Sequence, residues 1–401
     1  MVPKGWKLGK IKDLADTVMG FAFKSTDFVS EGIPLLRMGN LYQNTLDLQR
    51  SPIYLPVSFK YDYARFLVKP GDLVMSMTGT MGKRDYGFTV HIPTNAPESL
   101  LNQRVMKFIP KNETSPAFLL NLLRSEYILS RLFSFPGGTK QANLTTNQVQ
   151  DLPALIPPLP EQKKIAQILS TWDKAITTTE KLLANSEQQK KALMQQLLTR
   201  KKRFHKFNKE WIDVHLSDIS NIVMGTSPSS RSYNEKNLGL PLIQGNADIL
   251  NRKSSPRIFT SEITKECTVG DILLSVRAPV GTVAISQHRA CIGRGIASIK
   301  AKKDFNQEFL YQWFLWFEPK WGSLSQGSTF ESISSGDIKS LKLLIPDLEE
   351  QQKIAVVLST IDREIENVKQ KLNCLIQEKK ALMQQLLTGK KRVKVAEINN
   401  A

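Results

Sequence analysis

IPPLPEQKKIAQILSTWDKAI, residues 156–176, returns 189 positions later, without a gap, as IPDLEEQQKIAVVLSTIDREI, residues 345–365. The correspondence runs on to KKALMQQLLT, at residues 190–199 and again at 379–388, and 25 of the 44 aligned positions are identical. Chance does not produce that, and a repeat of this length decides the architecture before any local motif does. Working back from each copy, Trp6 with DLADTVMG (residues 13–20) answers Trp211 with DISNIVMG (218–225). IPLL at Ile33 stands beside LPLI at Leu240, PGDLVMS at Pro70 beside VGDILLS at Val269, and GGTKQANL at Gly137 beside QGSTFESI at Gln326. One unit of about 190 to 205 residues is therefore written twice; its globular part has drifted and its helical part has not. Two helices that pair with each other, or that hold two copies of one partner, keep similar surfaces. Two domains that read different ligands need not.

The shared segment reads as a long helix. Residues 161–199 contain no Pro or Gly, and apolar side chains step by four and three through Ile165, Leu169, Trp172 and Ile176 to Leu183, Leu193 and Leu197. The second copy carries Ile354, Leu358, Ile361, Ile365, Val368, Leu372, Leu375, Leu382 and Leu386 on the same heptad, the spacing of a coiled-coil seam. Lys379 interrupts this seam and Lys190 interrupts the first at the equivalent place. Either they fix the register of one helix on the other or they snorkel at a fraying end. Pro157, Pro158 and Pro160 stop the preceding chain and leave Glu161 in the first turn, where the helix dipole favours a carboxylate. Gly389 ends the second helix, whereas Arg200 holds that place in the first. At about 1.5 Å per residue such a helix is a rod of roughly 60 Å, and two of them running antiparallel would hold the reading domains a fixed distance apart.

Charge names the partner. Fifty-five Lys and Arg against 37 Asp and Glu give a net charge of +18, pointing to a polyanion, nucleic acid before an acidic membrane. No apolar run reaches 18 residues and MVPKGWKLGKIKDL at the amino end lacks a signal-peptide core, so a cytoplasmic location is expected. Cys267, Cys291 and Cys374 lie too far apart for a metal site and are expected to be reduced and structural.

The globular stretches mix strand-like runs, DLVMSM at Asp72 and DILLSV at Asp271, with helical ones such as AFLLNLLRSEYILSRLF from Ala117, the pattern of compact α/β domains. TGTMGKRDYG, residues 78–87, sets Lys83, Arg84 and Tyr86 among glycines after a strand, either a groove-reading loop or an ordinary solvated turn. Arg37 and Asn40 after the IPLL strand, and Lys140 and Gln141 in the GGTKQ loop, are similar candidates for DNA contact. In the second copy Gln244 and Asn246 stand where Arg37 and Asn40 stood, Arg277 follows LLSV, and Arg294 lies between Gly293 and Gly295, where backbone can approach a ligand. Arg suits guanine, and Asn or Gln suits adenine. RKKR at residues 200–203 and KKR at 390–392 are either phosphate contacts or solvated tails.

Catalytic patterns are missing from the sequence. Gly82-Lys83 leads into Arg84, with Met77 where a phosphate-binding loop needs its first glycine. His91, His205, His215 and His288 form no metal-ligand or nucleophile-activating pattern, and no Asn-Pro-Pro-Tyr or Asp-Pro-Pro-Tyr segment occurs. The chain reads as a non-catalytic reader with no metal and no cofactor of its own.

LPEQKKIAQIL at Leu159 and its echo LEEQQKIAVVL at Leu348, each opening a long helix after a divergent domain, resemble the specificity subunits of type I restriction-modification systems over essentially the whole chain. Among the differences between the copies are Pro160 against Glu349 and Trp172 against Ile361. The resemblance implies two α/β target-recognition domains, residues 1–155 and 205–344, with long helices at 156–204 and 345–392 that pair as an antiparallel coiled coil, and a tail at 393–401. It implies that each domain binds half of an asymmetric bipartite site in double-stranded DNA while the helices set the spacer and dock two modification subunits. Those subunits would hold S-adenosylmethionine, and two restriction subunits would use ATP and Mg. A free-standing coiled-coil regulator and a scaffold with incidental charge are the rival readings.

Overall fold

The two proline-led segments become helices of 39 and 40 residues, Leu159–Leu197 and Leu348–Leu387. The structure, a computed structural model, describes residues 2–135, 141–321 and 332–395. Packing divides the chain into Met1–Thr179 with Lys371–Ala401, and Glu180–Gln370. Each unit thus owns one globular domain, the start of one long helix and the end of the other.

In the first unit an antiparallel sheet runs Ala15–Met19, Val105–Pro110, Leu73–Ser76, Thr89–His91. A second runs Tyr54–Leu55, Ile33–Leu36, Ser99–Leu101, Leu67–Val68, with its two central strands parallel. The second unit repeats both. Ser220–Met224, Ile296–Ala301, Ile272–Ser275 and Val283–Ile285 continue into two short strands, and Leu240–Ile243 lies parallel to Ala290–Ile292 in the other sheet. The runs DLVMSM and DILLSV are these buried strands, all four residues of Leu73–Ser76 and Ile272–Ser275 being inside. The run from Ala117 is broken, contrary to a single helix: Pro116–Leu123 stops and Glu126–Leu132 restarts. Ser125 makes the break, because its hydroxyl accepts from the Ile128 N–H as a new cap while donating to Leu122 O.

Each helix begins inside its domain's core. Ile165, Ala166 and Leu169 share one cluster with Trp6, Ile11, Phe108 and Phe118, joined by Leu386 and Leu387 from the end of the second helix. Ile354, Ala355 and Leu358 do the same with Trp211, Leu216 and Phe309, joined by Met194, Leu197 and Leu198. The amino-terminal part of the heptad seam therefore packs on the domain as well as on the other helix. Trp172, Ile176, Leu183, Ile361, Val368 and Leu372, farther along, are only half-buried, and Ile365 is buried. Pairing is antiparallel within each unit, Asp173 meeting Lys379 in one, and Lys190 meeting Asp362 and Glu187 meeting Lys369 in the other. The two seam lysines do not snorkel: Lys190 and Lys379 are 13% and 15% exposed, each 2.5 Å from its aspartate. Asp173 and Asp362 are themselves equivalents 189 residues apart.

The repeated Glu-Gln dipeptide locks helix to domain. Trp6 Nε1 donates to Glu161 Oε2 at 3.0 Å and Arg392 holds both carboxylate oxygens. Trp211 Nε1 donates to Glu350 Oε2 at 3.0 Å, with Arg203 at 3.1 and 2.7 Å. The last arginines of RKKR and KKR are thus not simply solvated tails; they neutralise a buried carboxylate. Next to it Gln162 Nε2 donates to Pro157 O at 2.9 Å, and its Oε1 accepts from the Ser115 N–H at 2.9 Å, the residue that caps Pro116–Leu123. Gln351 repeats this on Pro346 O at 2.8 Å and the Asn306 N–H at 2.9 Å, Asn306 capping Gln307–Phe317. Cys267 and Cys291 are buried, Cys374 is exposed, and all three are free.

Candidate nucleic-acid interface

In both domains the parallel strand pair delivers two chain segments to one corner. Leu36 is paired with Leu101 and Ile243 with Ile292. Past that point Asn102 N–H donates to Leu36 O at 3.0 Å, and Gly293 N–H to Ile243 O at 2.8 Å. Phe21 N–H reaches Leu101 O and Thr226 N–H reaches Ile292 O, both at 2.9 Å; Met77 N–H reaches Arg104 O and Val276 N–H reaches Gly295 O, again both at 2.9 Å. The backbone bonds therefore equate Gln103 with Arg294, Arg104 with Gly295, Arg37 with Gln244 and Phe21 with Thr226. The shared VMG tripeptide ends in this corner for a steric reason: a Cβ on Gly20 would lie 2.0 Å from Asn102 O, and one on Gly225 2.2 Å from Gly293 O.

In the second domain the corner is a cavity of about 420 Å³ lined by Ser227, Tyr233, Gln244, Asn246, Arg277 and Arg294 among others. Four residues chosen from sequence, Gln244, Asn246, Arg277 and Arg294, meet there. Gln244 Nε2 donates to Tyr233 Oη at 2.8 Å, and Asn246 Nδ2 donates to Pro279 O at 2.9 Å while its Oδ1 is buried without a partner among the described residues. Arg277 and Arg294 are exposed, and among the described residues neither guanidinium has an ion pair or hydrogen bond. The glycines flanking Arg294 serve packing: a Cβ on Gly295 would sit 2.2 Å from Gln244 O. Asn246 is not the counterpart of Asn40. Asn40 Oδ1 caps the Arg37 N–H at 2.9 Å, and that work is done for Gln244 by Asp248 Oδ2 at 2.8 Å.

The first-domain candidates scatter. Asn40 is buried, its Nδ2 donating to Asp47 O and Arg50 O at 2.8 and 3.1 Å, and the Arg37 guanidinium is bonded to Ser51 O. Tyr86 is 5% exposed in the core, its ring 4.9 Å edge-to-face from Phe133, and burial followed by the Asp85 charge pushes its hydroxyl above the usual tyrosine range. Arg84 pairs with Glu126 at 2.8 Å and lies over Phe133. Lys83 and Gln141 stay exposed, Gln141 on a short strand paired with Thr78–Thr80, while Lys140 lies outside the described residues. Gln103 and Arg104, not singled out from sequence, are exposed at the corner and, among the described residues, make no side-chain bond. The signal was available: LLNQRV at residues 100–105 answers CIGRGI at 291–296.

Fold and corner together define a duplicated reader: one scaffold used twice, with different side chains at equivalent points and helices common to both copies. The chain belongs to the type I restriction-modification DNA specificity family, whose domain matches residues 3–188 and 208–377. It is 32% identical to the type I restriction enzyme MjaX specificity subunit of Methanocaldococcus jannaschii, over 98% of this chain and 95% of that one. Its fold is shared with the S subunit of a type I restriction-modification system from M. genitalium (TM-score 0.61, 15% identity, 95% and 96% coverage). The HsdS subunit from Thermoanaerobacter tengcongensis is also similar (TM-score 0.50, 23% identity, 97% and 98%). Membership makes this a DNA-recognition subunit and not a catalytic one. No helix among the described residues is long and apolar enough to cross a membrane.

Proposed function

We propose that each globular domain reads one half of an asymmetric, bipartite site in double-stranded DNA, and that the paired helices fix the spacer and carry two modification subunits. The observation that supports this reading is the contrast within the repeat. Equivalent corners hold Gln103 and Arg104 in one copy and Arg294 and Gly295 in the other, whereas the helices keep 25 of 44 residues. Part of that identity has an internal cause, since Glu161, Gln162, Asp173, Lys190 and their equivalents hold the fold. Exposed identities such as Lys191 with Lys380 and Gln188 with Gln377 make no side-chain hydrogen bond or ion pair among the described residues, and suit a partner present twice. S-adenosylmethionine would then sit in the modification subunits, with ATP and Mg in two restriction subunits, and the complex would work in the cytoplasm. In this chain the contacts would come from Lys83, Gln141, Gln244, Asn246, Arg277 and Arg294, with Lys140 a further candidate from sequence.

Copurification and domain exchange test the reading. About two methyltransferase chains per copy of this protein are expected, and replacing residues 1–155 by another reader should change one half-site in the map of methylated adenines. Tight, specific DNA binding by the chain alone would instead favour a free-standing regulator, and a change in both half-sites would refute modular reading.

A further inference from the structure

We infer that Gln103 and Arg294, which occupy the same point of the two domains, are specificity-determining residues: Gln103 reads an adenine in one half-site and Arg294 a guanine in the other. The inference rests on the reading that each domain recognises one half-site.

Three observations carry it. Backbone pairing fixes the equivalence independently of sequence alignment, because the residues before and after each position make matched bonds. Asn102 and Gly293 donate to Leu36 O and Ile243 O, and Val105 and Ile296 donate to Asn102 O and Gly293 O at 2.9 and 3.0 Å. Rigid strands on both sides thus hold one exposed side chain at a defined place, the arrangement that base reading requires. Second, both side chains are available: each is exposed, and among the described residues neither makes a side-chain bond, while neighbouring polar groups such as Asn40 and Arg37 are committed internally. Third, the surroundings differ in kind. Arg294 shares its cavity with the Arg277 guanidinium, the Gln244 amide and the Ser227 hydroxyl, and no carboxylate lines it among the described residues. Two guanidiniums and no acid suit the O6 and N7 acceptors of guanine in the major groove. Gln103 instead bonds through its backbone N–H to Phe21 O at 3.0 Å, and the 38% exposed ring of Phe21 packs on Phe23, Tyr63 and Phe66, so an aromatic cluster takes the place of the second domain's polar cavity. The Gln103 amide offers a donor and an acceptor side by side, which fits the N6 and N7 edge of adenine.

The test uses the complex of this chain with its modification subunit. Methylated sites are mapped genome-wide for Arg294→Ala, Arg294→Lys and Gln103→Ala, and binding is measured on the wild-type site and its single-base variants. Arg294→Ala is expected to make one guanine position of one half-site degenerate, discrimination there falling roughly ten- to a hundredfold. Gln103→Ala should do the same at one adenine of the other half-site. Arg294→Lys keeps the charge but not the planar fork, so it should relax that guanine while retaining most affinity; it also covers the case in which the alanine variant folds poorly. Uniform weakening on every sequence with both half-sites intact would make these residues phosphate contacts and overturn the inference. If point variants leave the site unchanged while exchange of residues 1–155 alters one half, this assignment fails and the half-site reading stands. If the exchange alters neither half, it is the half-site reading that fails.

Discussion

Arg200 ends the first long helix at φ 61°, the left-handed conformation that Gly389 takes at φ 68° after the second. A side chain is strained there by about 1 kcal/mol or more, and the exposed Arg200 ion pair with Glu210 returns little of it. Arg200→Gly should therefore raise stability by about 1 kcal/mol, read as a higher denaturation midpoint. Glu350 works in the opposite sense. Its side chain is 1% exposed and bound by Arg203 and Trp211, so Glu350→Ala strands a guanidinium and an indole N–H; a loss of about 3–5 kcal/mol is expected in chemical denaturation. Residues of this kind explain what sequence could and could not disclose. The Glu-Gln pair was visible as a repeat, but its reason needed Trp6 and Arg392 brought from 155 and 231 positions away. Tyr86 and Asn40 looked like ligand contacts because a polar or aromatic residue in a Gly-rich turn reads alike whether it faces water or core. Gly79, whose Cβ would lie 2.7 Å from the Tyr86 ring, shows that this turn is tight because it covers the core.

At the scale of elements, the helices were legible end to end, because heptad spacing and an ungapped repeat are local signals. The sheets were not, since Ile33–Leu36 finds its parallel partner Ser99–Leu101 only across a long excursion. The interhelical ion pairs give a measurable quantity. A double-mutant cycle on Asp173→Ala and Lys379→Met should yield a coupling of about 0.5–1.5 kcal/mol, less than a fully buried charged hydrogen bond because Asp173 is half exposed to solvent. A coupling near zero would return Lys379 to the snorkelling alternative. The two helix starts also differ in acid. Asp347 accepts the Glu350 N–H at 3.0 Å, and that bond, followed by Lys209, holds its carboxyl below the usual range; Pro158 occupies the place in the first copy. A depressed carboxyl stabilises above the unfolded pKa, near 4, and that contribution disappears as pH falls through the lower folded value. Asp347→Asn keeps an acceptor but cannot titrate, so its unfolding free energy should change less below about pH 4 than that of the wild type.

Across the whole molecule the repeat offset rises from 205 at Ala15 and Ser220 to 207 at Leu36 and Ile243, then falls to 199 at Leu73 and Ile272, 191 at Val105 and Ile296, and 189 throughout the long helices. Length has changed only in the domains, at loops between strands, which leaves the helices in step while the readers diverge. The charge of +18 should make binding of the assembled complex to duplex DNA strongly salt-dependent. Between 50 and 200 mM salt a loss of about 10³- to 10⁵-fold is expected if 6–10 phosphates are contacted, and Lys83→Ala should flatten the slope without changing the sequence preferred. The seam charges have one more consequence. Lys190 and Lys379 are equivalents, as are Asp173 and Asp362. Were the helices laid side by side in the same direction and in step, ammonium would face ammonium and carboxylate would face carboxylate; only head-to-tail alignment matches each with its opposite. Duplication of a single helix bearing one seam Lys and one Asp, 17 residues apart, was thus enough to write an orientation code, in which the polarity of the pair is chosen by repulsion in the wrong arrangement as much as by attraction in the right one.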